Sequence, residues 1–150
     1  MPEKETLERA AEDKREGKAA STQAGEFVRE EIEHVREGKH GARSAKQAIA
    51  IGLSKARRAG VKLAPPEKGK ASKETREQAT RDVRKGKSAR KAKPSAKRSR
   101  ATLSALKREG HSAASKTALS RQARGAAAKR SAASRSRSAK KAARTRKKNA

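Results

Sequence analysis

The chain has 150 residues, with 43 Lys and Arg against 16 Asp and Glu, a formal net charge of +27. One Phe, no Trp, no Tyr and no Cys exclude a large aromatic core, a disulfide framework and a thiolate zinc site. Hydrophobic residues make up 31%, most of them Ala, which leaves little burial to offset the ordering entropy of a domain filling the whole chain.

The acidic start, Met1-Pro2-Glu3-Lys4-Glu5, lacks the apolar run of a secretory signal. No window approaches the roughly 18 apolar residues of a membrane span. The expectation is a soluble, cytoplasmic protein with no membrane partner. Residues 1–17 read as a short charged helix from Glu3 to Glu16, with Leu7, Ala10 and Ala11 on one face and Gly17 ending it.

A second helix is predicted from about Thr22 to Glu37, with Phe27, Val28, Ile32 and Val35 on one side. Gly38 stops it, and Lys39-His40-Gly41-Ala42-Arg43 forms a short loop. Ser44 and Gln47 then have capping-box spacing. Ala45, Ala48, Ile49, Gly52, Leu53 and Ala56 form the apolar stripe of the next helix, with Arg57 and Arg58 in its last turn and Gly60 just beyond. Two amphipathic helices joined by a few residues predict an antiparallel hairpin. Its expected core is Phe27, Val28, Ile32 and Val35 against Ile49, Leu53 and Val61, within a module spanning 22–64.

Residues 65–71, beginning Pro65-Pro66, read as a linker. Residues 72–125 repeat the earlier pattern in degraded form. Glu74 to Gly86 echoes Glu26 to Gly38, and Ser95-Ala96-Lys97 to Gly110 echoes Ser44-Ala45-Lys46 to Gly60. A third echo runs from Ala118 to Gly125. Helices over 72–85, 96–109 and 113–124 are expected to be marginal alone, because the larger apolar residues are mostly replaced. The Ala/Ser/Lys/Arg segment 126–150 is expected to be a disordered, self-repelling tail. The predicted fold is therefore all-α: one short helical hairpin (about 22–37 and 44–59) as the cooperative unit, isolated marginal helices, and a largely disordered basic C-terminal region.

Charge is divided along the chain. Residues 1–37 carry 11 acids and 7 bases, and residues 38–150 carry 5 acids and 36 bases. A surplus of that size calls for a polyanion, and Lys and Arg bind phosphate backbones by releasing condensed counterions. The scarcity of aromatics speaks against base stacking on single strands, so duplex DNA is the expected partner and RNA the second choice. The candidate nucleic-acid-binding residues are Lys39, Arg43, Lys46, Arg57, Arg58, Arg84, Lys85, Lys87, Arg90, Lys91, Lys97, Arg98, Arg100, Arg121, Arg124, Lys129, Arg130, Arg135, Arg137, Lys140, Lys141, Arg144, Arg146, Lys147 and Lys148.

No catalytic constellation is visible. Ser44 has a capping role, and no base stands near it in sequence. His34 and His40 with Glu30, Glu33 or Glu37 have some metal-ligand spacing, but solvated histidines on an acidic helix are the expectation. Neither metal nor cofactor is expected, and the protein is not expected to be an enzyme. The Gly38–Arg43 loop before a helix N-terminus offers one backbone contact to a phosphate. A second functional class is a protein-interaction module, with the acidic N-terminal helices docking a protein partner or a second copy and the basic region tethering it to RNA, ribosome or DNA.

Lys39-His40-Gly41-Ala42-Arg43-Ser44 and the following Lys46-Gln47-Ala48-Ile49-Ala50-Ile51-Gly52-Leu53-Ser54-Lys55-Ala56 resemble a family of small, basic, uncharacterised bacterial proteins, over about residues 26–64. That resemblance implies no activity. The basic remainder is similar in composition to the tails of linker histones and bacterial histone-like proteins. This likeness implies histone-like, sequence-nonspecific DNA binding and nucleoid association.

Overall fold

A computed structural model describes residues 1–88 and 95–148. Helices α1 (Lys4–Arg15), α2 (Ala20–Arg36), α3 (Ala45–Arg58), α4 (Lys73–Lys87), α5 (Ala96–Lys107), α6 (Lys116–Ala128) and α7 (Ala132–Lys148) follow one another, with a 3-10 turn at Ser112–Ala114 before α6. The described residues form no strand beyond an isolated Lys68–Ala71 bridge in the linker.

α3 lies at the centre. Ser44 starts it by accepting a hydrogen bond from the Gln47 amide at 3.2 Å, and the Gln47 side chain accepts from the Arg43 amide at 2.7 Å. The capping box thus closes one residue earlier than the usual reciprocal pair. α2 packs on one side of α3 and α4 on another, while α1 covers α2. The 3-10 turn and α6 close over the α2–α3 pair.

Two apolar clusters result. In the first, Ile32 and Val35 of α2 meet Ala48 of α3, Ala42 of the loop and Ala113 and Ala114 of the 3-10 turn, with Val28 and Leu119 packed against them. In the second, Phe27 and Ala24 of α2 meet Ala10 of α1 and Ala56 of α3, with Leu53, Val61 and Leu63 alongside. Of the expected hairpin core, Phe27, Ile32 and Val35 are buried, while Val28, Leu53 and Val61 are half-buried at the margins of the clusters. Ile49 is half-buried and outside both, because the α3 face turned inward is its small-residue row Ala45, Ala48, Gly52 and Ala56.

That row allows the helices to approach closely. A Cβ at Gly52 would stand 2.6 Å from the Val28 Cα and 2.9 Å from the Phe27 carbonyl oxygen. On the other side, a Cβ at Gly86 would stand 2.0 Å from the Arg57 carbonyl oxygen. Gly86 therefore does not end its helix as its counterpart Gly38 does. It lies inside α4, where only a residue without a side chain fits against α3.

Several expectations are corrected. The hairpin is not the only cooperative unit, since α1, α4 and the 3-10 turn all bury residues against it. The buried face of α1 is Thr6, Ala10 and Asp13, whereas Leu7 is exposed. The largest correction concerns the C-terminal region, which is helical and not a disordered basic tail. Of segment 126–150, residues 132–148 form α7. Ser131 caps its first turn by accepting from the Ser134 amide at 3.1 Å, and the Arg130 guanidinium donates to the Ser134 carbonyl and the Ser138 hydroxyl. Ala, Arg and Lys are among the strongest helix formers. Low hydrophobicity predicts that α7 buries nothing, which holds, but it does not predict that the backbone stays unwound.

Candidate nucleic-acid interface

The surface begins where the apolar core ends. From Ser95 to Lys148 the chain carries 18 Lys and Arg and one acid, Glu109, and all 18 basic side chains are exposed. Among the described residues none of these bases is ion-paired, and Glu109 is instead approached by Arg43 at 3.6 Å. α5, α6 and α7 contain no buried residue. The expected residues Lys97, Arg98 and Arg100 lie on α5, Arg121 and Arg124 on α6, Lys129 and Arg130 between α6 and α7, and Arg135 through Lys148 on α7. Lys107, Arg108 and Lys116 share the same exposure and were not among the expected residues, although composition places them in the same stretch.

The fold brings bases from two distant parts of the chain around one open cleft. Arg43 and Lys46, at the start of α3, line it together with Arg121 of α6, Ser44 and Gln122. By contrast, the Gly38–Arg43 loop does not offer its own amides as a phosphate cradle. The Gly41 amide donates to the Leu106 carbonyl at 2.9 Å and the Ala42 amide to the Gly110 carbonyl at 3.0 Å, so both are engaged in tying the loop to the end of α5.

Several expected phosphate contacts have internal roles instead. Arg57 is 8% exposed and donates to the Leu63 and Ala64 carbonyls, both at 3.3 Å, which folds the linker back onto α3. Burial pulls its pKa below the usual guanidinium value, with Asp82 opposing. Arg58 donates to Asp82 at 2.7 Å, and Ser54 donates to the other oxygen of the same carboxylate at 2.7 Å. Asp82 is buried on α4, and burial alone would raise its pKa. The Ser54, Arg58 and Gln78 hydrogen bonds outweigh that and hold it below the usual carboxylate range. Lys39 pairs with Glu3 at 3.0 Å and Glu37 at 3.1 Å, and those bonds raise its pKa. Lys46 does not share this fate, being exposed at the cleft. Arg84, Lys85 and Lys87 lie at the end of α4 with no buried side chain among them, and Arg90 and Lys91 lie outside the described residues.

Three acids of the N-terminal region, Asp13, Glu30 and Glu31, are turned inward. Glu30, buried on α2, accepts from the Glu3 amide at 3.0 Å and from Lys55 at 3.0 Å. Burial works to raise the pKa of Glu30, but these bonds leave it below the ordinary value. Glu31 is also buried, facing Lys55 at 2.7 Å and His40 at 3.1 Å. His34 and His40 come together with Glu31 rather than with the expected Glu30, Glu33 or Glu37. The spacing of Glu31 and His34 was available in the sequence, but the burial that sets Glu31 apart from its neighbours was not.

Residues 5–68 match the model of a family of unknown function (DUF6496), which fits the expectation of an uncharacterised family and extends it back over α1. No curated protein and no solved structure matches the chain. No helix among the described residues is long and apolar enough to cross a membrane.

Proposed function

We propose that the chain binds duplex nucleic acid, DNA foremost, without sequence preference, in the manner of a histone-like nucleoid-associated protein. The observation that carries this reading is the α5–α7 surface, with 18 exposed bases, one acid and, among the described residues, no ion pair to those bases. Such a surface is self-repelling until phosphates neutralise it, and each neutralised phosphate releases a counterion. α7 adds geometry. Its 17 residues make a rod about 26 Å long on which eight bases are already ordered. A base held on a helix loses less freedom on binding than one on a coil. Arg43, Lys46 and Arg121 extend the surface onto the folded core.

The interaction-module reading is supported less. Glu3, Glu26, Glu30 and Glu31 of the acidic N-terminal region are engaged within the fold, which leaves fewer of them for a partner. Gel shifts of the full chain on duplex DNA, structured RNA and heparin at several salt concentrations test the proposal. Duplex binding should weaken linearly in log–log form, by about 0.9 per phosphate neutralised. Affinity that is independent of salt, or one duplex sequence displacing the protein far better than another, would overturn it.

A further inference from the structure

Glu31 and His34 are three residues apart on α2 and so share a face. His40 is returned to that face by the turn at Gly38, whose φ is +74°. One ligand atom from each of the three side chains lies within 4.8 Å of the other two. The group is nearly enclosed, with side-chain exposures of 1% for Glu31, 13% for His34 and 10% for His40.

The hydrogen bonds give the cluster a direction. The Nδ1 of His40 is 3.0 Å from the Gly41 carbonyl oxygen, which can only accept, so Nδ1 carries the proton. In the neutral ring Nε2 then bears the lone pair, and it faces Oε1 of Glu31 at 3.1 Å. With Nε2 unprotonated, the pair is two acceptors facing each other in a buried site, an arrangement that a cation between them relieves. Neither oxygen of Glu31 receives a well-aligned hydrogen bond, although both are buried. Lys55 attracts only the far oxygen, Oε2, at 2.7 Å, and is shared with Glu30. Around the site stand the carboxylates of Glu3, Glu30 and Glu31 and the ammonium groups of Lys39 and Lys55, which together sum to about −1.

We propose that Glu31, His34 and His40 form a binding site for one divalent transition-metal cation of the zinc class. Two imidazole nitrogens and one carboxylate suit Zn²⁺ or Co²⁺, whereas Ca²⁺ and Mg²⁺ prefer sets made of oxygen alone. The outer contacts are of the kind that orient metal-bound histidines: the Gly41 carbonyl for His40, and Glu3 Oε1 at 2.8 Å from His34 Nε2. Metal–ligand bonds of about 2.0–2.2 Å place tetrahedral ligand atoms roughly 3.3 Å apart. The widest separation here, at most 4.8 Å, closes by about 1.5 Å, within reach of ring rotation at His34, the most exposed of the three. A bound ion would pin the α2–α3 loop to α2 and stabilise the native state by mass action.

The test uses the full chain without an affinity tag. Zn²⁺ alone is titrated while the imidazole resonances of the three histidines are followed, and Co²⁺ is titrated in parallel by visible absorption. The expected result is saturation at one ion per chain, with His34 and His40 shifting and exposed His111 unmoved. Glu31→Gln and His34→Gln should each weaken binding at least about tenfold, since even orienting residues cost that much, and His111→Gln should change nothing. Should a variant fail to fold, the resonances of the parent chain remain decisive. No saturable shift at His34 and His40, or unchanged Co²⁺ affinity in a folded His34→Gln/His40→Gln double variant, overturns the proposal.

Discussion

α4 and α5 carry the same sequence pattern as α2 and α3, yet the two pairs are held in different ways. α2 buries Phe27, Ile32 and Val35 against α3. At the matching positions of α4, 48 residues on, stand Thr75, Thr80 and Val83, and the only buried side chains are Ala79 and Asp82. α4 nonetheless docks on α3, because Asp82 meets Arg58 and Ser54 and Gly86 lets the backbones touch. α5 is held only at its end, where the Leu106 carbonyl accepts from the Gly41 amide, and it buries no side chain. A helical copy without large apolar residues therefore keeps a packed position only where a buried polar partner and a close backbone approach replace them. Otherwise it persists on local propensity, capping and tethering, and its surface is left for another role.

The strongest way to break this contrast is to hollow out the packed half. Phe27→Ala should cost about 3–5 kcal/mol, whereas Leu103→Ala on exposed α5 should change stability by less than about 0.5 kcal/mol. Urea denaturation of both variants reads the difference, and equal costs would remove the distinction.

Next is removal of the unpacked half. Deleting residues 129–150 takes away ten bases but, among its described residues, no buried side chain. Duplex affinity at low salt should fall by at least about a hundredfold, with the salt slope reduced by about 0.9 for every phosphate that is no longer neutralised. The melting of the α1–α4 unit should stay put. Cutting instead at residue 110 also strips Ala113, Ala114 and Leu119 from the first cluster, and that unit should then melt earlier. Identical melts for the two truncations would show that the 3-10 turn contributes nothing.

A matched pair of glycine substitutions should differ in sign. Gly52→Ala forces a methyl against the α2 backbone and should destabilise by about 1–3 kcal/mol. Gly125→Ala meets nothing within 4 Å on α6 and should stabilise that helix by up to about 1 kcal/mol. Thermal melts of the two variants, expected to move in opposite directions, check this.

The mildest effect is on pH. Glu30 and Asp82 have folded pKa values below their ordinary 4.5 and 3.8, and Glu3, bonded to His34 and Lys39, is held at about 2. A depressed carboxyl stabilises the fold fully above its unfolded pKa and loses that contribution as pH falls through the folded value. Stability attributable to these acids should be flat above about pH 5 and decline below about pH 4. α7, which has no acid, should show no matching loss of helicity. Melts followed between about pH 7 and pH 2 would sharpen the comparison, and a unit most stable near pH 3 would contradict it.

Much of the local structure was legible in the residues. Ser44 at the start of α3, the apolar periodicity of Phe27, Ile32 and Val35, and the accumulation of bases after Glu37 are short-range or compositional features. They specify helix starts, one buried face and the sign of the surface without reference to the rest of the chain. The tertiary structure alone decided that α3 would be covered on two sides, that Gly86 would be a contact and not a terminus, and that Arg57 would be folded inward away from any phosphate. It also decided that Glu31, among the several acids of α2, would be the one enclosed with two histidines. Propensity and capping depend on neighbours three or four residues away, whereas burial depends on which distant segment arrives to exclude water. The helicity of α7 belongs to the first kind and its exposure to the second, which is why a charged, low-complexity segment can be both ordered and uncovered.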